Sequence, residues 1–443
     1  MVYNKSMKII ESGNKKIIAY GTTEEGSIEQ AKNCLEDAEA FCLMADNHKG
    51  YGMPVGGVGV YKDFIPPAGV GFDIACGNKA VKLDVKYVDV KHNLENIAEK
   101  IWEDISFGVG QKNNVEVKND LFNDTAWELE VFKSNPELKK KARAQLGTIG
   151  SGNHYIDIFK DEDDFIWIGV HFGSRGLGHT IASHFMTLAG DNLNIMDEKP
   201  HLLDVNSKIG SDYIQAMNLA GRYAYAGRDW VCEKVANIIG GNITKEVHNH
   251  HNFAWSEKHN GQNYWVVRKG ATPAFPGQEG FIGGSMGDNS VIVKGIDSEK
   301  SKECFYSTVH GAGRIMSRTQ AAGKKRFKKE YQCGQRNCGG SLPFRTLAQD
   351  EEKPKCPICG NKTNRWKGMK VVSEGVIDMK AVREELVEKE IILKGAGADE
   401  APGVYKNLPE VLADHEGTIL IQHTLEPLVV CMAGADEFDP YKD

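Results

Sequence analysis

The chain has 443 residues, of which 41% are hydrophobic and 26% are charged. This composition is typical of a folded globular protein and argues against a disordered one. The formal net charge is −7, from 54 basic and 61 acidic residues, which argues against binding polyanions over the whole surface. No apolar run reaches the ~18 residues of a membrane span, and residues 1–10 lack the apolar core of a signal peptide. We therefore expect a cytoplasmic protein without a membrane partner.

Glycine is frequent, with 48 residues, and many glycines lie beside histidines. A glycine-rich turn lets a ligand approach the backbone closely. The chain also has ten cysteines, which we expect to be reduced in a cytoplasmic protein. Five of them lie among apolar neighbours and are predicted to be small core residues: Cys34, Cys42, Cys232, Cys304 and Cys431.

In chain order, the first predicted element is a helix over about 28–42, where apolar residues recur at helical spacing. The sequence of residues 27–30 is typical of a capping box at its start. Residues 43–52 indicate a strand that ends in a loop, and the glycine-rich segment 54–80 predicts short strands and tight turns. Alternation over 81–85 then predicts a half-buried strand.

The apolar run 166–170 predicts a buried strand that delivers His171 at its end. Helical periodicity predicts a long helix over 211–238, ended by two glycines, and a second helix over about 376–389. Strands and helices alternate irregularly, without the repeated βαβ pattern of a doubly wound sheet. We therefore predict an α+β protein, with one large catalytic domain of mixed sheets and surrounding helices and one small insertion.

The insertion, predicted over 331–362, contains the clearest local motif. Two cysteine pairs, Cys333-x4-Cys338 and Cys356-x2-Cys359, are separated by seventeen residues. Four thiolates satisfy the tetrahedral preference of Zn²⁺, and a short segment with few apolar residues needs the metal to fold. The spacing predicts a structural zinc ribbon; coincidental free or disulfide-linked cysteines are the alternative.

A basic patch surrounds this motif. Residues 321–370 hold nine Lys and four Arg against four acidic residues, a balance of +9 that leaves −16 for the remainder of the chain. Basic side chains beside aromatic ones suit phosphate contact and base stacking. A solvated surface predicts the same charge run, so both interpretations stay open.

Five glycine-flanked segments carry side chains that bind metals or phosphates. They are the stretches containing Asp73 and Cys76, His154, His171 with Arg175, His248 to Asn252, and His310 with Arg314. A thiolate with imidazoles and a carboxylate suits a borderline divalent metal. The segments are far apart along the chain, so spacing alone does not establish that they converge. A single histidine is more often a hydrogen-bonded structural residue than a metal ligand.

These segments resemble, in order and over nearly the whole chain, those of the RNA-splicing ligase family known as RtcB. The matching strings are ADNHKGYG at 45–52, VGFDIACGN at 70–78, GSGNHY at 150–155, HFGSRG at 171–176, HHN at 250–252, RKGA at 268–271, GGSMG at 283–287 and VHGAGRIMSR at 309–318. So many ordered matches are far more specific than a single glycine motif. The resemblance implies one α+β catalytic domain over 1–443, with the ribbon as an addition.

The resemblance also implies the roles of individual residues. It implies two Mn²⁺ ions bridged by Cys76, with ligands Asp73, Cys76, His154, His171 and His251. His310 is implied as the nucleophile that takes GMP from GTP, oriented by Asp46. Positions implied to contact phosphates or the nucleotide are Asn153, Arg175, Lys269, Ser285, Arg314 and Tyr405.

The implied activity is GTP- and Mn²⁺-dependent ligation of an RNA 3′-phosphate or 2′,3′-cyclic phosphate end to a 5′-hydroxyl end. Its substrate is broken or spliced RNA such as tRNA, and an accessory activating protein is a possible partner. One alternative keeps the nucleotidyl-histidine but acts on another nucleic-acid end or uses another nucleotide. A second alternative is a non-catalytic RNA-binding or regulatory protein.

The chain departs from the family pattern near the site, at Ala45, Asn47, Ala75, Asn78 and Asp157. A further departure concerns the base of the nucleotide. The family ends in a lysine-glycine pair that contacts guanine, whereas here Ala433 occupies the lysine position and nine residues follow Gly434. We therefore predict relaxed nucleotide selection, unless another group such as Lys442 replaces the lysine.

Overall fold

The computed structural model of the protein describes residues 7–335, 337–347 and 351–434, so Lys442 lies outside the described residues. The strands are β1 Lys8–Ser12, β2 Lys15–Ala19, β3 Ala40–His48, β4 Val55–Tyr61, β5 Phe64–Ile65, β6 Gly77–Lys86, β7 Tyr155–Lys160, β8 Phe165–Phe172, β9 Leu203–Asp204, β10 Ile243–His250, β11 Asn252–His259, β12 Gln262–Lys269, β13 Ala271–Pro273, β14 Glu279–Ile282, β15 Ser290–Gly295, β16 Ser307–Val309, β17 Lys324–Cys333, β18 Ser341–Pro343, β19 Thr363–Ser373, β20 Ile392–Ala396 and β21 Ile419–Gly434. The α-helices are α1 Glu25–Leu35, α2 Pro67–Val70, α3 Tyr87–Val90, α4 Leu94–Asp104, α5 Glu130–Lys133, α6 Leu138–Gln145, α7 Arg175–Ala189, α8 Lys208–Ile239, α9 Glu299–Glu303, α10 Arg318–Ala322, α11 Met379–Glu388 and α12 Leu408–Asp414.

Two large sheets form the body of the protein. One has six strands in the order β1-β2-β3-β4-β12-β11, and the other has eight, in the order β10-β6-β8-β7-β21-β15-β14 with β20 beside β21. Most neighbours are antiparallel, while β2 and β3, and β20 and β21, are parallel. Apolar side chains cover both faces of the larger sheet, in one cluster that includes α4 and α8 and another that includes α11. The predicted α+β class with mixed sheets is therefore confirmed.

The first predicted helix is wrong in its extent. Helix α1 ends at Leu35, and residues 40–42 belong to strand β3. The strand predicted over 43–52 is present but begins earlier, at Ala40. Because β3 is buried on both faces, its apolar residues do not alternate, and such a run is not distinguishable from a buried helix by periodicity. The capping box is also wrong, since the residue that precedes the helix is Glu24 and Ser27 lies inside the first turn.

The later elements are confirmed. The predicted buried strand is β8, which carries His171, and the long helix is α8. Helix α8 begins where the Ser207 hydroxyl accepts a hydrogen bond from the Gly210 amide at 3.0 Å, and it ends at Gly240 with φ of 88°. A left-handed residue of this kind ends a helix at little cost only when it is glycine. The helix predicted over 376–389 is α11.

Five cysteines predicted to be core residues, Cys34, Cys42, Cys232, Cys304 and Cys431, are buried and make no disulfide. Their burial raises the thiol pKa, which keeps them uncharged.

Within the described part of the chain, every helix falls short of the length or the apolar character that a bilayer crossing requires.

Candidate active site

His310 and Asp46 form the most closely coupled polar pair of the site. Strand β3 carries Asp46, and β16 ends one residue before His310. The Nδ1 of His310 lies 2.6 Å from Oδ2 of Asp46, and the backbone N–H of His310 donates to the same oxygen at 2.9 Å. Burial alone would raise the pKa of Asp46, but the charge and hydrogen bonds of His310 outweigh it and lower that pKa. Asp46 therefore stays ionised and fixes the imidazole ring.

The loop that carries His310 requires glycine at position 313. The φ of Gly313 is 79°, and a Cβ at this position would overlap the backbone carbonyl of Asp46. The 309–318 segment can therefore lie directly against the end of β3 only with glycine here. This close approach brings His310 to the Asp46 carboxylate.

Five candidate metal ligands converge beside His310. The Sγ of Cys76 lies 3.2 Å from Nε2 of His171 and 3.5 Å from Nε2 of His154. The Nε2 of His154 lies 3.1 Å from Oδ2 of Asp73. These atoms form two groups, in each of which the donor atoms lie within 4.8 Å of one another: Asp73, Cys76 and His154, and Cys76, His171 and His251. Cys76 belongs to both groups.

The protonation of these side chains suits a divalent cation. Burial lowers the pKa of His171 and His251 well below the ordinary value, so both imidazoles are neutral and have a lone pair to donate. Burial opposes ionisation of Asp73, but the hydrogen bond with His154 outweighs it and lowers the pKa to about 2. Burial, followed by the charge of Asp73, raises the pKa of the Cys76 thiol. A cation at the shared position would offset that cost, and one thiolate, imidazoles and a carboxylate fit a borderline divalent ion.

One cavity of about 300 Å³ connects these groups. The ring centroids of His251 and His310 are 4.7 Å apart, so the candidate nucleophile is adjacent to a candidate metal ligand. Of the residues predicted from the sequence, the cavity is lined by Asp73, Cys76, Asn153, His154, His171, His251, Lys269, Ser285, His310, Arg314 and Tyr405. Asp46 lies behind His310, fully buried.

Arg314 and Tyr405 belong to a charged network at one wall of this cavity. Arg314 donates to Oε2 of Glu400 at 3.3 Å and to the Tyr405 hydroxyl at 3.2 Å, and the Tyr405 hydroxyl donates to Glu400. Arg318 also pairs with Glu400, at 3.5 Å. Sequence reasoning missed Glu400, because a single acid has no distinctive local pattern. Arg318 was given no role, although it is the last residue of the matching string at 309–318.

Arg175 is the predicted residue that the structure places elsewhere. Its guanidinium donates to the carbonyls of Gly108 and Ile149, at 3.2 and 3.3 Å, and lines an adjoining cavity of about 860 Å³. The two cavities share Asp73 and His154. Arg175 is therefore positioned for a group that approaches from the second cavity.

Lys269 is held by backbone rather than by a carboxylate. Its ammonium donates to the carbonyls of Tyr51 and Ala68. Burial lowers the pKa of Lys269 to about 8. The Ser285 hydroxyl, at the other side of the cavity, donates to Asp288.

Comparison with known proteins identifies the family. Residues 30–342 match the family model described as tRNA-splicing ligase RtcB. The chain belongs to the RtcB family. It is 36% identical over 320 residues to the RNA-splicing ligase RtcB of Escherichia coli strain K12, an alignment that covers 66% of this chain and 77% of that protein. It is 31% identical over 384 residues to the tRNA-splicing ligase RtcB of Methanococcus maripaludis, covering 69% and 79% respectively.

Two departures from the RtcB pattern lie in the cavity wall. The Asn78 side chain donates to the carbonyl of Phe281 at 2.9 Å and to that of His310 at 3.1 Å. Asp157 is buried, one of its oxygens has no hydrogen-bond partner, and burial raises its pKa well above the ordinary value. Asn78 thus adds a contact that holds the His310 backbone. The other departures are also buried. Ala45 and Asn47 are the sequence neighbours of Asp46, and Ala75 precedes Cys76.

Ala433 does not line the cavity. Its methyl group packs in the apolar cluster on the far face of β21, while its neighbour Met432 and Val430 line the cavity. Side chains alternate along a strand, so positions 430 and 432 face one side and position 433 the other. The cavity wall at this strand is therefore apolar.

The four cysteines of the insertion also converge. They lie at one end of the three-stranded sheet β18-β17-β19, whose strands extend beyond 331–362 in both directions. The Sγ atoms of Cys333 and Cys359 are 3.4 Å apart, and those of Cys338 and Cys356 are 3.6 Å apart. The backbone amide of Ile358 donates to Sγ of Cys356 at 3.4 Å, a contact that favours a thiolate. This arrangement is compatible with a four-thiolate metal site.

Proposed function

We propose that the chain is an RNA ligase that joins a 3′-phosphate or 2′,3′-cyclic phosphate end to a 5′-hydroxyl end, using GTP and Mn²⁺. Its curated relatives have the names RNA-splicing ligase and tRNA-splicing ligase. The observation that supports the proposal best is the pairing of His310 with Asp46 in the same cavity as two donor groups that share Cys76. A nucleophile oriented by a carboxylate next to a metal site suits phosphoryl transfer.

His310 is the proposed nucleophile, acting through Nε2. Since Nδ1 donates its proton to Asp46, the lone pair of a neutral ring is on Nε2. Nε2 forms a bond to the α-phosphorus of GTP, the bond to the bridging oxygen breaks, and pyrophosphate leaves. GMP then passes from His310 to the RNA 3′-phosphate, and the 5′-hydroxyl displaces GMP to form the phosphodiester. A cyclic phosphate end is first hydrolysed to the 3′-phosphate.

Two Mn²⁺ ions would be held by the two donor groups, with Cys76 as the shared ligand, and would neutralise phosphate charge and favour in-line displacement. The cationic side chains Lys269 and Arg314 line the same cavity and are proposed to contact phosphate oxygens, together with Asn153. Arg175 is proposed to bind phosphate in the adjoining cavity. Ser285 and Tyr405 are proposed to contact the nucleotide.

Covalent labelling tests this proposal. Purified protein with Mn²⁺ and α-labelled GTP is expected to form an adduct that survives denaturation, and His310→Ala is expected to lose it completely. His92→Ala, at an exposed histidine outside the site, is the matched control and should label like the wild type. If the wild type forms no adduct, or if the adduct persists in His310→Ala, His310 is not the nucleophile. If the adduct forms but a broken tRNA-like RNA is not sealed, the enzyme acts on another nucleic-acid end.

Nucleotide selection is expected to be relaxed. Ala433, at the position of the family's lysine, has no hydrogen-bonding side chain, and a site that has lost a hydrogen bond to the base discriminates more weakly. Unlabelled ATP, CTP and UTP should therefore compete with labelled GTP for adduct formation within about 100-fold of GTP itself. Exclusion of the other nucleotides by about 10⁴-fold or more would contradict this prediction.

We propose that the four cysteines of the insertion bind one structural Zn²⁺. Four thiolates complete a tetrahedral site, and the insertion has little apolar core of its own. The zinc is separate from the Mn²⁺ groups, because none of its ligands lines the cavity that contains His310.

Cys356→Ser is therefore expected to lose one zinc ion per chain and to expose residues 331–362 to protease. Labelling of His310 should continue at near the wild-type rate. Zinc content by atomic emission and limited proteolysis measure the two effects. Cys304→Ser, at a buried cysteine outside the insertion, is the control that should keep its zinc. Unchanged zinc content in Cys356→Ser would contradict the site.

A further inference from the structure

Strands β17 and β19 form a basic arm, residues 324–373, that starts next to the active-site cavity. Helix α10 contains Arg318, which lines both cavities, and leads directly into β17. The chain returns after β19, where the amides of Val376 and Ile377 donate to the carbonyls of Gln320 and Ala321 at 3.1 and 3.2 Å. The base of the arm is therefore fixed to the segment that carries His310 and Arg314.

One face of the arm concentrates positive charge. Lys329 is directly opposite Lys367, and Tyr331 is directly opposite Arg365, so these four side chains share a face. Lys329, Arg365 and Lys367 are exposed, and within residues 7–335, 337–347 and 351–434 none of the three makes an ion pair. Like charges opposite each other destabilise a strand pair. A polyanion on this face would remove that repulsion.

The same face also has an aromatic platform. The ring of Phe344 stacks on Tyr331 with centroids 5.5 Å apart, and the guanidinium of Arg365 lies 5.6 Å from the Phe344 centroid. Tyr331 is fully buried and supports the Phe344 ring, which Arg365 contacts in turn. Cations beside an aromatic ring suit a nucleic-acid strand, through phosphate contacts and stacking.

We propose that this face of the arm binds the backbone of the substrate RNA at a distance from the break. The inference rests on the proposed ligase function, which supplies RNA as the polyanion. A strand of ten residues at ~3.3 Å per residue spans about 33 Å. That length equals the axial rise of about ten base pairs of a duplex, at ~3.4 Å each. The arm would therefore contact nucleotides that a short oligonucleotide in the cavity does not reach.

Binding of long and short RNA tests the arm. The zinc-loaded full chain carrying Lys329→Gln, Arg365→Gln and Lys367→Gln together is compared with a control carrying Lys62→Gln, Lys91→Gln and Lys100→Gln, which removes equal charge at exposed sites elsewhere. Fluorescence anisotropy gives the Kd for a 3′-phosphate RNA hairpin of about 30 nucleotides and for an oligonucleotide of about four, at several salt concentrations.

The arm variant is expected to bind the hairpin at least about tenfold more weakly, with a salt dependence reduced by about two to three in log–log slope. The short RNA and the control variant should show wild-type affinity. The proposal would be overturned by unchanged hairpin affinity, by an equal loss for the short RNA, or by an equal loss in the control variant. If hairpin affinity is unchanged, the arm would instead be a surface for a protein partner. The measurement omits GTP, so a failure of His310 to form an adduct would refute the ligase function separately.

A second inference concerns Arg228, which connects three segments that carry candidate ligands. Arg228 lies in α8, is fully buried, and makes no ion pair within the described residues. Its Nη1 donates to the carbonyls of Ala75 and Phe172 at 3.1 and 2.5 Å, and its Nη2 lies 2.9 Å from Nδ1 of His250. These three residues are the immediate neighbours in sequence of Cys76, His171 and His251, respectively.

We infer that Arg228 is a positioning residue for the Cys76–His171–His251 group. One rigid guanidinium holds two of these segments by backbone carbonyls and the third by the His250 side chain. Loss of a group that orients metal ligands costs about 10–100-fold in affinity. Arg228→Met and the milder Arg228→Lys are compared with Arg222→Met, an exposed residue of the same helix.

Electron paramagnetic resonance of free Mn²⁺ measures the number of bound ions and their Kd, and thermal unfolding checks the fold. Both Arg228 variants are expected to weaken at least one ion by about 10–100-fold, while Arg222→Met binds like the wild type. If Arg228→Met does not fold, Arg228→Lys decides the outcome. Wild-type Mn²⁺ affinity in a folded variant would overturn the role, whereas failure of the wild type to bind two ions would instead refute the metal site.

Discussion

Asp46→Asn is expected to slow transfer of the nucleotide to His310 by about 10³–10⁴-fold, which is the cost of losing the orienting carboxylate in comparable pairs. Asp46 accepts hydrogen bonds from both Nδ1 and the backbone N–H of His310. An amide in its place can turn its NH₂ toward Nδ1, which moves the ring proton to Nε2 and removes the nucleophilic lone pair. The fold should be retained, because the side chain keeps its size.

Single-turnover labelling with α-labelled GTP measures this rate directly, before any contribution of RNA. Asp63→Asn, at an exposed aspartate, is the matched control and should leave the rate unchanged. Mn²⁺ binding to Asp46→Asn should also be unchanged, because Asp46 belongs to neither donor group. A labelling rate within about tenfold of the wild type would show that Asp46 does not set the tautomer.

Cys76→Ala is expected to abolish tight binding of both Mn²⁺ ions and to reduce labelling of His310 below detection. Cys76 is the donor common to both groups, whereas His154 belongs to one. His154→Ala should therefore lose one ion and keep the other. The two variants should differ in the number of ions bound, because each ion has few protein donors and the loss of one donor weakens its binding strongly.

Metal analysis after desalting, together with paramagnetic resonance, gives the number of ions retained. Cys232→Ala is the control, since Cys232 is equally buried but lies in the apolar core. Equal losses in Cys76→Ala and His154→Ala would contradict a bridging thiolate. Retention of two ions in Cys76→Ala would refute the shared site altogether.

Several features of the site follow from the sequence alone. Glycine-flanked histidines, the Asp73–Cys76 turn and the order of the motifs predict the residue types and the family. The long periodicity of residues 211–238 predicts α8 correctly, because a helix with one apolar face has a distinctive repeat. The cysteine spacing predicts a metal-binding insertion for a similar reason, since its ligands are local.

Tertiary structure decided the rest. Cys76 meets His154 and His171 across 78 and 95 residues of sequence, and only the packing of β6, β7 and β8 in one sheet determines those distances. Glu400 and Arg228 have no sequence signal, because their roles depend on carbonyls and hydroxyls from distant segments. Residues 40–42 begin strand β3 but were predicted as helix, because burial on both faces removes the alternation.

The sequence by itself therefore determined which chemical groups the protein carries and which family it resembles. The tertiary structure decided that these groups share one cavity, that Arg175 faces the neighbouring cavity, and that Ala433 faces away from it. The physical reason is that motifs encode local turns and donor types. Side-chain direction and distance across a sheet instead depend on strand register and on the packing of the whole core.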